Sequence, residues 1–177
     1  RNTLHKTDGT PAGSIDLYTT LSGYGISKLA AIGGRRIFGD QYIYPGGGTE
    51  VWSTDGTLQG TVRLLRYEGY QTSLYYDPTS FNPTRFGGAL LFAATNYVTN
   101  HVDLWSTDGT PGGTVKLLSA ADVGYIDLGP DDFLQLGSSQ LFITYDSNTS
   151  GQGVWSTDGT PGGTVKLLAV APGTNLN

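Results

Sequence analysis

Residues 154–168, VWSTDGTPGGTVKLL, match residues 104–118, LWSTDGTPGGTVKLL, at 14 of 15 positions, and residues 51–65, VWSTDGTLQGTVRLL, match the first of these at 12 of 15. A worn fourth copy, TLHKTDGTPAGSIDL, opens the chain at residues 3–17, with His5 where the others carry Trp52, Trp105 and Trp155. Asp8, Asp55, Asp108 and Asp158 anchor the copies at intervals of 47, 53 and 50 residues. A repeat of that length is one supersecondary unit that cannot bury its apolar side alone and must stack on its neighbours, as in propellers and related β-arrays.

Each copy reads as strand, structured loop, strand. In Ser53-Thr54-Asp55-Gly56-Thr57 the carboxylate and the hydroxyls can accept from nearby backbone N–H groups, and Gly56 and Gly60 tolerate positive φ. Pro111 and Pro161 pre-set φ in two copies. The residues after the loop, 61–65, 114–118 and 164–168, are β-branched and apolar enough for a strand.

Upstream, Phe38, Phe92 and Phe142 precede their tryptophans by 14, 13 and 13 residues. Before each Phe stands a turn signal, Gly33-Gly34, Gly87-Gly88 or Gly137-Ser138-Ser139, between short strands such as 29–32 and 36–38. Each unit therefore holds four antiparallel strands, the content of one propeller blade, with the Phe and Trp residues as blade core and the four aspartates as turn formers. The expected fold is all-β, a propeller-like array of about three and a half four-stranded blades. The chain is read as one domain, 1–177, with a half blade at 1–20, repeats at 21–68 and 69–120, and a last repeat with a C-terminal tail at 121–177.

Consecutive apolar runs at 90–94 and 167–170 predict strands covered on both faces. No uninterrupted 3.6-residue pattern survives the Gly and Pro punctuation, and residues 119–123 are the best short helical stretch. Glycine makes up 27 of 177 residues, about twice the usual share, so turns are abundant.

Composition also excludes chemistries. With no cysteine the chain has no disulfide, thiolate metal site or Cys nucleophile. A formal charge of −5 with dispersed Lys and Arg argues against nucleic acid. The only basic pair, Arg35-Arg36, reads as a solvated strand edge. No stretch resembles a membrane span or a signal peptide. The chain starts at Arg1 and has no Met, so it is expected to be processed or part of something longer.

Catalysis needs asymmetry, whereas the repeated aspartates occupy like turns. The two histidines, His5 and His101, stand in unlike contexts, and the only glutamates are Glu50 and Glu68. No catalytic residue and no enzyme activity is expected. Calcium would suit the oxygen-rich turns, but each offers one carboxylate where a dedicated loop gathers several. The cluster Asp127, Asp131 and Asp132 is the better cation candidate, and the expectation is no cofactor and no metal. Tyr67, Tyr70, Tyr75 and Tyr76 form an aromatic-rich connection whose rings could stack on sugar faces, although tyrosine in such a connection more often packs on a neighbouring blade. Asn148-Thr149-Ser150 is the only acceptable glycosylation sequon, because Pro83 disqualifies Asn82.

The motif VWSTDGT…GT at 51–61, with LWSTDGT…GT at 104–114 and VWSTDGT…GT at 154–164, resembles the bacterial ELWxxDGT repeat of long, secreted or surface-attached proteins. Glu50 supplies the leading acid of that signature, while Asp103 and Gly153 replace it in the other copies. The resemblance implies an extracellular or cell-surface propeller-like array and assigns no chemistry. Ser53, Asp55 and Gly56 also share turn physics with the Asp-box hairpins of sialidase-type propellers, without their Gly spacing.

Four Asp-Gly-Thr hairpins but three Gly-pair hairpins leave a half blade unpaired, and exposed sheet edges invite pairing with another chain. The expected function is a non-enzymatic structural or adhesive repeat protein that joins copies by edge pairing, into a closed ring or a filament. Leu4, His5, Ile15 and the tail 169–177 are the expected assembly residues. The alternative is a glycan-binding propeller module. Neither reading requires nucleic acid or membrane insertion.

Overall fold

The computed structural model describes residues 2–20, 25–27, 29–42, 48–68, 83–96, 101–123, 133–146 and 151–171. Tyr70, Tyr75, Tyr76, Asp127, Asp131, Asp132 and Asn148 lie outside these residues, as does the tail from 172.

The fold is all-β, with fourteen strands in four open antiparallel sheets among the described residues. The first sheet pairs β1 (Thr3–Lys6) with β2 (Ile15–Thr19). The second runs β3 (Ala30–Ile32), β4 (Arg35–Tyr42), β5 (Gly48–Thr54), β6 (Val62–Glu68). The third runs β7 (Thr84–Phe86), β8 (Ala89–Asn96), β9 (His101–Thr107), β10 (Val115–Leu118). The fourth runs β11 (Leu134–Leu136), β12 (Ser139–Asp146), β13 (Gly151–Thr157), β14 (Val165–Val170). One helical turn, α1 (Ala120–Val123), follows β10, inside the stretch the sequence favoured.

Within each sheet every strand pairs with the next in sequence, and the two-residue glycine turns and short Asp-Gly-Thr loops close two of the three hairpins of each four-stranded sheet. The two middle strands of each four-stranded sheet place Phe opposite Trp: Phe38 with Trp52, Phe92 with Trp105, Phe142 with Trp155. The three phenylalanines are fully buried, Trp155 is buried, and Trp52 and Trp105 are half-buried.

Alternation along the strands gives each four-stranded sheet two largely apolar faces, and consecutive sheets stack. On the first sheet, Tyr18 meets Phe38 at 5.4 Å and Trp52 at 4.7 Å. Ile32, Ile37 and Val51 of the second sheet bury against Leu90, Phe92 and Ala94 of the third. Leu91, Leu104 and Leu117, on the other side of the third sheet, bury against Phe142 and Trp155 of the fourth. The run at 90–94 is thus covered on both faces.

The run at 167–170 is not, contrary to expectation: Leu167, Leu168 and Ala169 are exposed. The register shift between Val154 and Trp155 marks a β-bulge in this hairpin. A bulge turns two successive side chains to the same side, so consecutive leucines here do not signal two covered faces.

Candidate functional site

The Asp-Gly-Thr loops are the most regular element. In the second sheet, Asp55 Oδ1 accepts from Thr57 N at 2.9 Å and from Thr57 Oγ1 at 2.8 Å. Thr57 Oγ1 accepts from Gly60 N at 2.9 Å, and Thr61 Oγ1 donates to Thr57 O at 2.7 Å. Thr54 Oγ1 accepts from Gly56 N at 3.0 Å. The same bonds recur around Asp108 and Asp158, and around Asp8 with Ser14 in place of the last Thr. One residue type at each position thus closes the loop from within. Gly56, Gly109 and Gly159 take positive φ, and each lies against the preceding sheet. A Cβ on Gly109 would stand 3.4 Å from Ile32 Cγ2 and Ile37 Cδ1. Gly60 has ordinary φ; it must be glycine because a Cβ there would overlap the Asp55 carboxyl group.

The Thr57 hydroxyl and backbone N–H hold the Asp55 carboxyl below its ordinary value of 3.8, as Thr160 does for Asp158. Asp8 is lowered likewise, first by the Thr10 N–H. A lowered folded value stabilises the fold fully above 3.8, and that contribution is lost as pH falls through the lowered value. The melting temperature is therefore expected to hold steady on acidification and then to fall below about pH 4. Asp55→Asn, which cannot titrate, should flatten part of that fall in calorimetry, and an unchanged acid limb would contradict the assignment.

Between the sheets lie buried carboxylates. Asp40 on β4 and Glu50 on β5 are cross-strand partners, fully or nearly fully buried. Tyr18 on the first sheet donates to Asp40 Oδ2 at 2.6 Å and to Glu50 Oε2 at 3.4 Å. Glu50 Oε2 also accepts from Trp52 Nε1 at 2.9 Å, and Glu50 Oε1 from Arg63 at 3.1 Å and Arg66 at 3.3 Å. At the next interface Asp103 takes the Glu50 position. Its Oδ2 accepts from Tyr67 OH at 2.5 Å and pairs with Lys116 Nζ at 2.5 Å, while Oδ1 accepts from Ser119 at 3.1 Å. Lys116 Nζ also sits 5.5 Å above the Trp105 ring. At the third interface the acid position is Gly153, and Trp155 Nε1 donates to Thr144 Oγ1 at 3.0 Å instead.

Burial, and then the hydrogen bond to Asp40, raise Tyr18 well above the usual phenol range; burial and Asp103 do the same for Tyr67. Both phenols stay protonated and serve as donors, not as nucleophiles. Tyr67 faces the third sheet, 6.1 Å from Trp105 edge to face, so its ring is engaged within the protein. Arg35 is likewise not a solvated edge: Nε donates to Ser53 Oγ at 2.6 Å and Nη2 to Gly60 O at 2.5 Å.

No family model, curated protein or solved structure matches this chain.

Of the expected residues, the four aspartates cap loops at one end of their hairpins, and Phe and Trp fill the stack. His5 pairs with Asp16 at 2.6 Å on an exposed surface. Among the described residues, no group of three or more His, Asp or Glu gathers as a metal site would require, and no helix is long and apolar enough to cross a membrane. Sequence reading missed Asp40 and Tyr18. The available signal was an acid at the same distance before Asp55 and Asp108, namely Glu50 and Asp103.

Proposed function

We propose that this chain is a non-enzymatic structural repeat protein, a propeller-like stack that joins other copies through the edge of β1. The observation that carries this reading is the width of the first sheet. β1 and β2 correspond to the outer hairpin of each four-stranded sheet, and β1 has one partner strand among the described residues. Two first sheets paired antiparallel through β1 would make four strands, the width of the other three sheets. Asn2 and Thr20 bond to each other, N to Oγ1 at 2.9 Å and O to N at 2.9 Å. Antiparallel alternation then turns the N–H of Thr3 away from β2, toward the edge that no described strand pairs.

The buried acids support the non-enzymatic reading, since phenol, indole and cationic partners occupy them between sheets. The ELWxxDGT resemblance supports a location at the cell surface or outside it. The test is the native mass by light scattering, with negative-stain imaging. Thr3→Pro removes the edge donor while sparing the backbone bonds to β2, and it should reduce the assembly by at least one step. An unchanged mass distribution would sink the reading.

A further inference from the structure

The outward face of the fourth sheet is built like an interface. Six of the nine exposed large hydrophobics among the described residues lie on it: Leu134, Leu136, Ile143, Val165, Leu167 and Leu168. Their register equivalents are covered elsewhere. Leu136 is 65 % exposed, whereas Ile32, at the same position of the second sheet, is 4 % exposed. Leu167 is 57 % exposed, whereas Leu117 is 7 % exposed. No charged side chain interrupts this face among the described residues, since Lys166 points to the other side, over Trp155. An uncharged, largely apolar surface of this kind marks an interaction site.

Two observations choose the occupant. First, the face is not a plain slot for a further repeat. Where it carries Ile143 and Leu134, the covered faces carry Gly39 and Ala93, and Ala30 and Thr84. Another sheet seated at the usual spacing would meet that added bulk. Second, the opposite end of the stack cannot serve as its complement. There the positions of Trp52 and Arg63 are taken by His5 and Asp16, an exposed hydrogen-bonded pair, beside a Thr3–Thr19 hydroxyl contact at 3.2 Å. Polar terminal surfaces of that kind cap a repeat array, and laying this one on leucines would strip water from hydrogen-bonding side chains.

We infer that the β11–β14 face binds the same face of a second copy of this chain about a two-fold axis, as an aligned sheet sandwich. An uncharged apolar face is its own complement. This contact alone stops at a dimer. Alternated with the β1 edge contact it builds larger species, because two different two-fold contacts on one subunit propagate into an open polymer unless their axes intersect and close a dihedral ring. The inference does not depend on the edge reading.

The test measures sedimentation against concentration for the full chain, for Thr3→Pro, for Leu136→Asp/Leu168→Asp and for the triple variant. Both leucines are exposed in the single copy, so the circular dichroism spectrum and the dilute melting temperature should not change. Thr3→Pro should dimerise reversibly and stop there. The two aspartates, four at a two-fold interface, should raise the dimer dissociation constant about 100-fold or more. Leu58→Asp, an exposed leucine in a loop, should leave it unchanged. The inference is overturned if Thr3→Pro is a monomer up to about 1 mM, the weak limit of specific association, or if its dimer survives the two aspartates. A monomer in Thr3→Pro alongside larger species in the parent would remove the face contact and keep the edge contact. The converse pattern would remove the edge contact and keep the face.

Discussion

Replacing Glu50 by alanine is expected to lower stability by about 3–5 kcal/mol, the cost of breaking a buried ionic cluster by removing one member. Glu50 is 2 % exposed and accepts from Trp52, Tyr18, Arg63 and Arg66. Its loss strands the Trp52 indole N–H in the stack, while Tyr18 keeps its bond to Asp40. The guanidinium groups can turn to water, because Arg63 and Arg66 are partly exposed. Glu50→Gln should cost less, since its amide oxygen can still accept from Trp52. For a chain of this length the alanine variant should melt lower by roughly 10 °C. Urea unfolding followed by tryptophan fluorescence measures it directly. A loss under about 1 kcal/mol is what an exposed ion pair gives, and would mean the cluster is solvated.

Gly113→Ala is the second large expected effect, because a Cβ at that position would overlap the Asp108 carboxyl group. Gly113 does not adopt positive φ, so the penalty is steric rather than conformational. The aspartate must rotate away and give up its bonds to Thr110 N and Oγ1. Forced overpacking of this kind costs about 1–3 kcal/mol, sometimes more. The neighbouring Gly112 has open space and ordinary φ, and alanine there should be neutral or stabilising by up to about 1 kcal/mol. The chain already places Ala12 and Gln59 at the matching positions. Asp108→Ala/Gly113→Ala should be about as stable as Asp108→Ala alone, since the colliding group is gone. Simple additivity in that cycle would refute the overlap.

Most of the strand plan was legible because its signals are local. Glycine pairs, Asp-Gly-Thr loops and the Phe-to-Trp spacing each act within one hairpin, and the hairpins appear where those signals stand. What was illegible depends on partners far along the chain. Tyr18 and Asp40 belong to different sheets and lie outside the repeated motif. Glu50 was visible as an acid, but its burial follows from Tyr18 and Trp52 closing over it. The exposure of Leu167 and Leu168 escaped notice because a hydropathy pattern cannot tell a bulge from a strand covered on both faces.

The unequal acids solve a problem of sequence order. Near-identical repeats risk stacking out of turn during folding, the usual hazard of tandem arrays. Here each seam has its own key. Tyr18 fits the lock of Asp40 and Glu50 with two arginines, and Tyr67 fits Asp103 with one lysine, while the last seam is filled by apolar groups and one indole-to-threonine bond. A shuffled stack would seat Asp103 or Glu50 on a surface without a phenol, leaving a buried carboxylate short of a donor. The fourth sheet cannot take the second sheet's place without that penalty, so the polypeptide carries its own assembly order in the residues that differ between copies.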